Sequence, residues 1–201
     1  MSLRDDFGEI DIYLFDQILR GRIGPGDRVL DAGCGSGRNL VYLLRAGIDV
    51  SATDRNAMAV AEVRALAAAL APGLAADRFR EEPVERSSFP DGAFTVVISS
   101  AVLHFAADDR QFREMVDSMW RLLAPGGMLF ARLATSIGIE SRIQALGNRR
   151  FALPDGSTRY LADETLLMDL TRRLGGQLLD PLKTTLVQDQ RAMTTWVVRK
   201  P

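Results

Sequence analysis

Short apolar runs alternate with segments of helical spacing through residues 28–133, and this alternation constrains the fold more than any other feature. Strands that alternate with helices form parallel sheets covered by helices on both faces. Two later apolar runs, around 178–187 and 192–199, are joined by only a short polar stretch, which predicts an antiparallel pair. We therefore predict an α/β fold: a doubly wound, mostly parallel, seven-stranded sheet with helices on both faces and a C-terminal antiparallel strand pair.

The chain of 201 residues shows no internal repeat or linker, which predicts one domain. Four parts follow one another along it. A helical segment at 1–22 precedes the alternating core at 28–133. Residues 135–160 have no clear period and contain several glycines and a proline. A helix and the strand pair occupy 161–201.

Charge and composition exclude several classes of protein. The chain has 25 basic and 26 acidic residues, so no basic field draws it to nucleic acid or to anionic membranes. The acidic N-terminus does not resemble a signal peptide, and the apolar-rich segment 57–71 is too short to span a bilayer. We expect a cytoplasmic protein without nucleic-acid or membrane partners. With a single histidine and a single cysteine, no zinc site is expected, and Cys34 is expected to be a small residue that fills a turn.

The stretch "VLDAGCGSGRNL" at 29–40 places three glycines, Gly33, Gly35 and Gly37, between the first strand and a helix. A glycine turn there brings backbone close to a ligand. The dinucleotide fingerprint requires a glycine at the sixth position, where this chain has Arg38, and the P-loop pattern is also missing. Asp31, at the end of the strand, would repel a pyrophosphate but attract an ammonium group. The turn therefore favours a cationic ligand.

Asp54 ends the second strand of the alternating core. In a doubly wound sheet, a carboxylate at this edge lies beside the first turn and can accept hydrogen bonds from both hydroxyls of a ribose. Alternatively, Asp54 only caps the N-terminus of the following helix, and the sequence would be the same in that case. Both interpretations remain open at this point.

Four stretches in order, "VLDAGCGSGRN", Asp54, "FPDGAFTVVISSAVLHF" and "LLAPGGMLFARL", resemble the class I S-adenosylmethionine-dependent methyltransferases. The run "GRNLVYLLRAGIDVSATDRNAM" is most similar to the small tellurite-resistance-type members. The resemblance implies a Rossmann-like methyltransferase fold, S-adenosylmethionine as cofactor and a methyl transfer reaction.

The resemblance also implies how the cofactor is held. Its methionine part would lie on the glycine turn, lined by Asp31, Gly33, Gly35, Arg38 and Asn39. Asp54 would bind the ribose, Arg55 would lie against the adenine, and Met58 would add an apolar contact unless it belongs to the core.

Other implied positions follow later in the chain. An acid usually meets the adenine edge where this chain has Pro83, so Val84 or Glu85 is expected to replace it. Ser99 and Ser100 match the place where backbone carbonyls receive the methionine ammonium. His104 would lie beside the departing methyl group, as a general base, as a residue that orients the acceptor, or as a loop histidine bonded to the backbone.

The methyl acceptor is expected to contact the segments outside the shared core, at 1–22 and 135–160. Phe7, Tyr13 and Phe15 could close over the pocket or belong to the core. A long irregular segment favours a lid or a binding role. Arg132 and the arginines of this segment, at 142, 149, 150 and 159, could meet an anionic acceptor. No Asn-Pro-Pro-Tyr-like motif indicates methylation of DNA bases, which leaves a small-molecule acceptor.

Two other classes remain as alternatives. A module that binds S-adenosylmethionine or its product without turnover is favoured by Pro83 in place of the usual acid. A nicotinamide-dependent oxidoreductase is disfavoured by the spacing of the glycines.

Overall fold

The computed structural model describes residues 3–201, so the first two residues of the predicted N-terminal segment lie outside the described residues. The described α-helices are α1 (Leu3–Phe7), α2 (Ile12–Leu19), α3 (Val41–Arg45), α4 (Ala57–Leu70), α5 (Asp109–Leu122) and α6 (Glu164–Arg173). The described strands are β1 (Arg28–Ala32), β2 (Asp49–Asp54), β3 (Phe79–Glu81), β4 (Phe94–Ser100), β5 (Leu123–Thr135), β6 (Gln144–Gly147), β7 (Arg150–Ala152), β8 (Thr158–Tyr160), β9 (Gln177–Leu178), β10 (Lys183–Val187) and β11 (Arg191–Arg199).

The main sheet has the order β10-β11-β5-β4-β1-β2-β3. Strands β1 to β5 pair in parallel, and β11 is antiparallel to β5. The predicted mostly parallel sheet with a C-terminal antiparallel pair is therefore confirmed. The sheet has eight strands rather than seven, because the predicted run 178–187 is divided into β9 and β10, which both pair with β11. Pro181 lies in the break, and proline has no N–H for the ladder.

The strands bury alternate residues on opposite faces of the sheet. On β5, Leu129 and Ala131 face one apolar cluster with α5 and α6, while Phe130 faces another with α3 and α4. This period of two, repeated on β4 and β11, is the reason that both faces need helices. The predicted two-sided covering of the sheet is confirmed.

The segment predicted as irregular contains a second, antiparallel sheet of three short strands, β6-β7-β8. Its strands are only three or four residues long and lie around Gly147, Pro154 and Gly156, which obscure a strand pattern. Leu153 and Leu161 pack with Ala134 of β5, which attaches this small sheet to the edge of the main one.

The N-terminal segment is two helices rather than the one that its spacing predicts. Gly8 has φ +64°, and Asp11 caps α2 by accepting a hydrogen bond from the backbone N–H of Tyr13. Within residues 3–201, every helix is too short or too polar to cross a lipid bilayer.

Candidate functional site

A cavity of about 570 Å³ opens at the carboxyl ends of β1, β2 and β4. Here the chain order reverses, since β2 lies on one side of β1 and β4 on the other. Ligands bind at this switch point in open α/β sheets. Nineteen residues line the cavity: Gly33, Cys34, Gly35, Ser36, Arg38, Asn39, Asp54, Arg55, Asn56, Ala59, Pro83, Val84, Glu85, Ser100, Ala101, Val102, Phe105, Gln111 and Met115. We call it the nucleoside cavity.

The bend after β1 contains three glycines, of which Gly33 and Gly35 are required for different reasons. All have positive φ, at +82°, +52° and +82° for Gly33, Gly35 and Gly37. A Cβ at Gly33 would lie 2.6 Å from the side chain of Val102, so close packing excludes a larger residue there. A Cβ at Gly35 would meet no atom within 4 Å, and Gly35 lines the cavity. Its backbone is therefore open to a ligand, as the sequence predicts.

Asp54 is fixed beside this bend. One carboxylate oxygen accepts a hydrogen bond from the backbone N–H of Gly35 at 2.9 Å, and the other accepts from Asn56, also at 2.9 Å. The side chain that caps α4 is Asn56, which accepts from the backbone N–H of Met58. The alternative of Asp54 as the cap of α4 is therefore wrong, and its carboxylate lines the cavity.

Asp31 lies beneath the bend and is 1% exposed. Neither of its carboxylate oxygens has a hydrogen-bond partner among the described residues. Burial raises the pKa of Asp31 to about 7, with Arg38 opposing the shift and Asp54 adding to it. A buried carboxylate without partners is rare and costly. This one is suited to receive a cationic group.

A polar network joins the N-terminal segment to the bend. Ser100 donates to the Asp11 carboxylate at 2.9 Å and accepts from Arg38 at 2.9 Å. Asn39 accepts from the backbone N–H of Asp11 at 3.0 Å. Asp11 also accepts from Arg132 at 3.2 Å. Nothing in "EIDIY" marks Asp11 as a site residue, because the local sequence does not show whether an acid is buried or solvated.

The opposite wall of the nucleoside cavity includes Pro83, Val84 and Glu85, from the turn after β3. Glu85 accepts a hydrogen bond from the Gln111 side chain at 2.8 Å. Gln111 and Phe105 also line the cavity and were not predicted. They come from elements distant in the sequence from the motifs, and nothing in their local pattern marks them.

Four predicted residues do not line this cavity. Asp31 and Ser99 are buried, and the Ser99 hydroxyl has no partner among the described residues. Met58 is 73% exposed, so it belongs neither to the core nor to the lining. His104 lies in a neighbouring cavity.

That second cavity, of about 310 Å³, adjoins the first, and Arg38 and Ala101 line both. Its lining is Arg38, Ala101, His104, Arg132, Ala134, Leu153, Asp155, Ser157, Arg159, Val187, Arg191 and Met193. We call it the arginine cavity. Ala101 has φ +64°, an uncommon conformation for a residue with a side chain.

His104 is 6% exposed, and its Nδ1 accepts a hydrogen bond from the backbone N–H of Ala134 at 3.1 Å. Burial, followed by the guanidinium groups of Arg159, Arg132 and Arg191, lowers the pKa of His104 to about 4. The ring is therefore neutral at pH 7 and carries its proton on Nε2. It is placed to donate a hydrogen bond rather than to accept a proton.

Only some of the residues predicted to meet an acceptor line a cavity. Arg132 lines the arginine cavity. Arg149 pairs with Asp163 at 2.8 Å, Arg150 donates to the Ala106 carbonyl, and neither lines a described cavity. Arg159, another arginine of the predicted segment, also lines the arginine cavity from β8. Arg191, which lines it from β11, was not predicted as a site residue.

The three aromatic residues of the N-terminal segment pack within the protein. Phe7 contacts the rings of Phe15 and Tyr42 at centroid distances of 4.8 and 5.0 Å, and Tyr13 lies under Arg132. None of them lines either cavity. Their described contacts are therefore with other side chains of the protein, and their closing over the pocket stays a prediction. Cys34 is buried in the bend, and burial raises the pKa of its thiol, so it remains protonated.

Comparison with known proteins agrees with this site. A family described as a methyltransferase domain matches residues 29–127. An uncharacterized methyltransferase of Synechocystis is 32% identical over 108 residues, which are 53% of this chain and 46% of that protein. A malonyl-[acyl-carrier protein] O-methyltransferase of Enterobacter lignolyticus is 32% identical over 167 residues, which are 83% of this chain and 61% of that protein. The chain thus spans about half the length of these curated relatives.

Among solved structures, the Burkholderia thailandensis 1,6-didemethyltoxoflavin-N1-methyltransferase, with bound 1,6-didemethyltoxoflavin and S-adenosylhomocysteine, matches with a TM-score of 0.71 at 21% identity. The match covers 96% of this chain and 79% of that one and shows a shared fold. Residues 29–127 therefore match a methyltransferase domain, and the relatives and the shared fold support a class I S-adenosylmethionine-dependent methyltransferase. The cofactor of this class is S-adenosylmethionine.

Proposed function

We propose that this protein transfers a methyl group from S-adenosylmethionine to a small-molecule acceptor by in-line displacement. The observation that carries the proposal is Asp31, a buried carboxylate without hydrogen-bond partners beneath a glycine bend. The α-ammonium group of the cofactor is a cation of the right charge for it. The cavity of about 570 Å³ also suits a nucleoside with an amino-acid side arm.

The other residues are assigned by what they offer. Gly33 and Gly35 bring backbone against the methionine part, with Arg38 and Asn39 at its carboxylate end. Asp54 keeps free acceptor capacity for the ribose hydroxyls, since each of its oxygens accepts only one described hydrogen bond. Arg55, Val84 and Glu85 flank the adenine. The carbonyls of Ser99 and Ser100 assist Asp31 with the ammonium.

When bound, the cofactor supplies a methyl group already activated by its sulfonium. The protein then has to align a nucleophile and exclude water, and such alignment contributes on the order of 7–11 kcal/mol in favourable cases. His104 is proposed to orient the acceptor through its Nε2–H, because Nδ1 is engaged by Ala134. A general base is unnecessary for an acceptor atom that is already anionic.

The acceptor is proposed to be small and anionic and to occupy the arginine cavity. Arg132 and Arg38 supply positive charge there. The Burkholderia structure holds a small acceptor, and the Enterobacter relative is named for methylation of a malonyl group. The tellurite-resistance resemblance and the cytoplasmic location remain predictions.

A binding module without turnover is the second candidate. Pro83 does line the nucleoside cavity where an acid is usual, and the low pKa of His104 removes the one expected base. The adjoining arginine cavity supports the enzyme instead, because a pure cofactor sensor has no need of a second pocket.

Titration calorimetry with S-adenosylhomocysteine tests cofactor binding. We expect saturable one-to-one binding, weakened about tenfold or more in Asp54→Asn through loss of a charged acceptor. Asp169→Asn, a surface change on α6, is the matched control and should bind as the natural protein does. Tighter binding of NAD than of S-adenosylhomocysteine would contradict the proposal.

Turnover separates the enzyme from the module. Labelled S-adenosylmethionine is incubated with the protein and a panel of carboxylates, phosphate esters, thiols, selenite and tellurite. The proposal expects a methylated product from at least one anionic member. Cofactor binding without product across a broad panel favours the module.

A further inference from the structure

The arginine cavity contains more positive charge than the nearby carboxylates neutralise. Arg38, Arg132, Arg159 and Arg191 line it together, from four different elements or turns. Asp155 is the acidic residue in the same lining. Like charges gathered in one pocket repel each other and are costly unless an anion joins them.

Two of these four arginines, Arg38 and Arg132, have a buried carboxylate nearby. The Asp11 carboxylate lies 3.2 Å from the Arg132 guanidinium and 3.8 Å from that of Arg38. The Asp11 side chain is 1% exposed, so this ion pair belongs to the architecture of the wall. One negative charge here faces two positive ones.

The other two arginines have no such partner. Within residues 3–201, no carboxylate lies within 4.0 Å of the Arg159 or Arg191 guanidinium. Asp155 is near enough for both arginines to contribute to lowering its pKa, but its carboxylate already accepts hydrogen bonds from the Ser157 N–H and hydroxyl. Both guanidiniums therefore retain free donors.

Packing also holds one of these groups in place. The Arg159 guanidinium lies over the Phe105 ring at 4.9 Å, and one of its nitrogens donates to the Thr158 carbonyl at 2.9 Å. Phe105 in turn lies against His104, with 4.6 Å between ring centroids. A guanidinium positioned in this way loses less side-chain entropy when it binds an anion.

We propose that Arg159 and Arg191 form an anion-binding subsite that anchors a carboxylate or phosphate group of a small acceptor. The Nε2–H of His104, which lines the same cavity, is a further donor. A planar carboxylate and a tetrahedral phosphate each offer two oxygens that the guanidinium fork can bind at once. A volume of about 310 Å³ restricts the ligand to a small molecule. The inference rests on the proposed function only for the identity of the anion as methyl acceptor.

The test measures anion binding directly, without knowledge of the acceptor. The protein is first saturated with S-adenosylhomocysteine and then titrated with inorganic phosphate and, separately, with succinate at constant ionic strength. Arg159→Gln and Arg191→Gln should each weaken binding of the anion about tenfold or more. Arg199→Gln removes the same charge from the opposite end of β11 and should leave it unchanged.

Arg159→Lys keeps the charge but loses the fork and should bind with intermediate affinity. Thermal midpoint and S-adenosylhomocysteine affinity check that each variant folds. Equal anion binding by Arg159→Gln, Arg191→Gln and Arg199→Gln would overturn the inference, as would the absence of saturable binding. Competition by a short RNA without binding of either small anion would also overturn it, in favour of a nucleic-acid surface.

The same titrations distinguish the two proposals. Cofactor binding without anion binding removes the subsite and leaves the methyltransferase proposal intact. Anion binding without cofactor binding removes the methyltransferase proposal and leaves the anion-binding subsite intact.

Discussion

The nucleoside cavity and the arginine cavity share a wall but are built in opposite ways. One side of the first is made by consecutive residues of one bend, with acids beneath and beside it, Asp31 and Asp54. The second gathers guanidiniums from β5, β8 and β11, which are distant in sequence. The first therefore fits a cation and can be recognised from a motif. The second fits an anion and exists only after the chain has folded.

The largest expected effect concerns Gly33, on which the first cavity depends. Gly33→Ala places a Cβ 2.6 Å from Val102 at φ +82°. We expect about 2–5 kcal/mol of lost unfolding free energy from the strained backbone and the clash together, with loss of S-adenosylhomocysteine binding. Urea denaturation and calorimetry measure both.

Gly26→Ala is the control for this change, because Gly26 has φ +96° but no atom within 4 Å of the added Cβ. It should lose only about 1–2 kcal/mol from the backbone. The double variant Val102→Ala with Gly33→Ala should recover part of the unfolding free energy that Gly33→Ala loses beyond Gly26→Ala. Equal destabilisation by Gly33→Ala and Gly26→Ala would contradict the packing argument.

The second effect concerns the proton on Asp31. With a pKa of about 7 in the free protein, Asp31 is mostly protonated at pH 6 and mostly ionised at pH 8. Only the ionised form attracts an ammonium, so S-adenosylhomocysteine should bind about tenfold more weakly at pH 6 than at pH 8. Calorimetry in buffers of different ionisation enthalpy should detect proton release on binding at pH 6.

Asp31→Asn should weaken binding at pH 8 and remove this pH dependence. Because the folded pKa lies above the unfolded one, Asp31 also makes the free protein less stable as pH rises from about 4 to 7. That loss should disappear in the variant. An unchanged pH profile of binding in Asp31→Asn would show that another group receives the ligand.

A smaller effect sharpens the contrast between the two cavities. Asp11→Asn retains the cap of α2, since asparagine caps as well as aspartate does, but removes the negative charge behind Arg38 and Arg132. Binding of phosphate to the arginine cavity should strengthen about three- to tenfold, because more positive charge is free. The affinity for S-adenosylhomocysteine should change less than the affinity for phosphate. A larger change in the affinity for S-adenosylhomocysteine would refute the proposal that the two cavities bind their ligands separately.

The smallest effect needs no substitution. His104 is the single histidine of the chain, so its ring gives one set of NMR signals. The signals should titrate near pH 4 rather than near 6.5, and saturating phosphate should raise the pKa by offsetting the arginines. Titration near 6.5 in the free protein would restore the general-base hypothesis.

The sequence predicts the features that depend on neighbours along the chain. Asp31, Gly33, Gly35 and Asp54 follow their strands directly, and parallel strands bring their carboxyl ends to one edge. The fold class is predicted for the same reason, since strand and helix periods are local properties.

The features that were missed depend on tertiary contacts. Arg191 was not predicted, because its neighbour in the cavity, Arg159, lies 32 positions away in the segment whose arginines were predicted to meet an acceptor. Asp11 is one acid among several in its segment and is distinguished only by burial against Ser100. Nor does spacing reveal that the ring of His104 is kept neutral, because its pKa is lowered first by burial and then by three arginines that β5, β8 and β11 bring there.

The most direct test of the account is a crystal structure of the protein with S-adenosylhomocysteine. We expect the α-ammonium at Asp31, the ribose on Asp54, and the sulfur at the wall that Arg38 and Ala101 share, facing the arginine cavity. Density that places the ligand outside the glycine bend, or with its sulfur turned away from the arginine cavity, would refute the proposed arrangement of the two cavities.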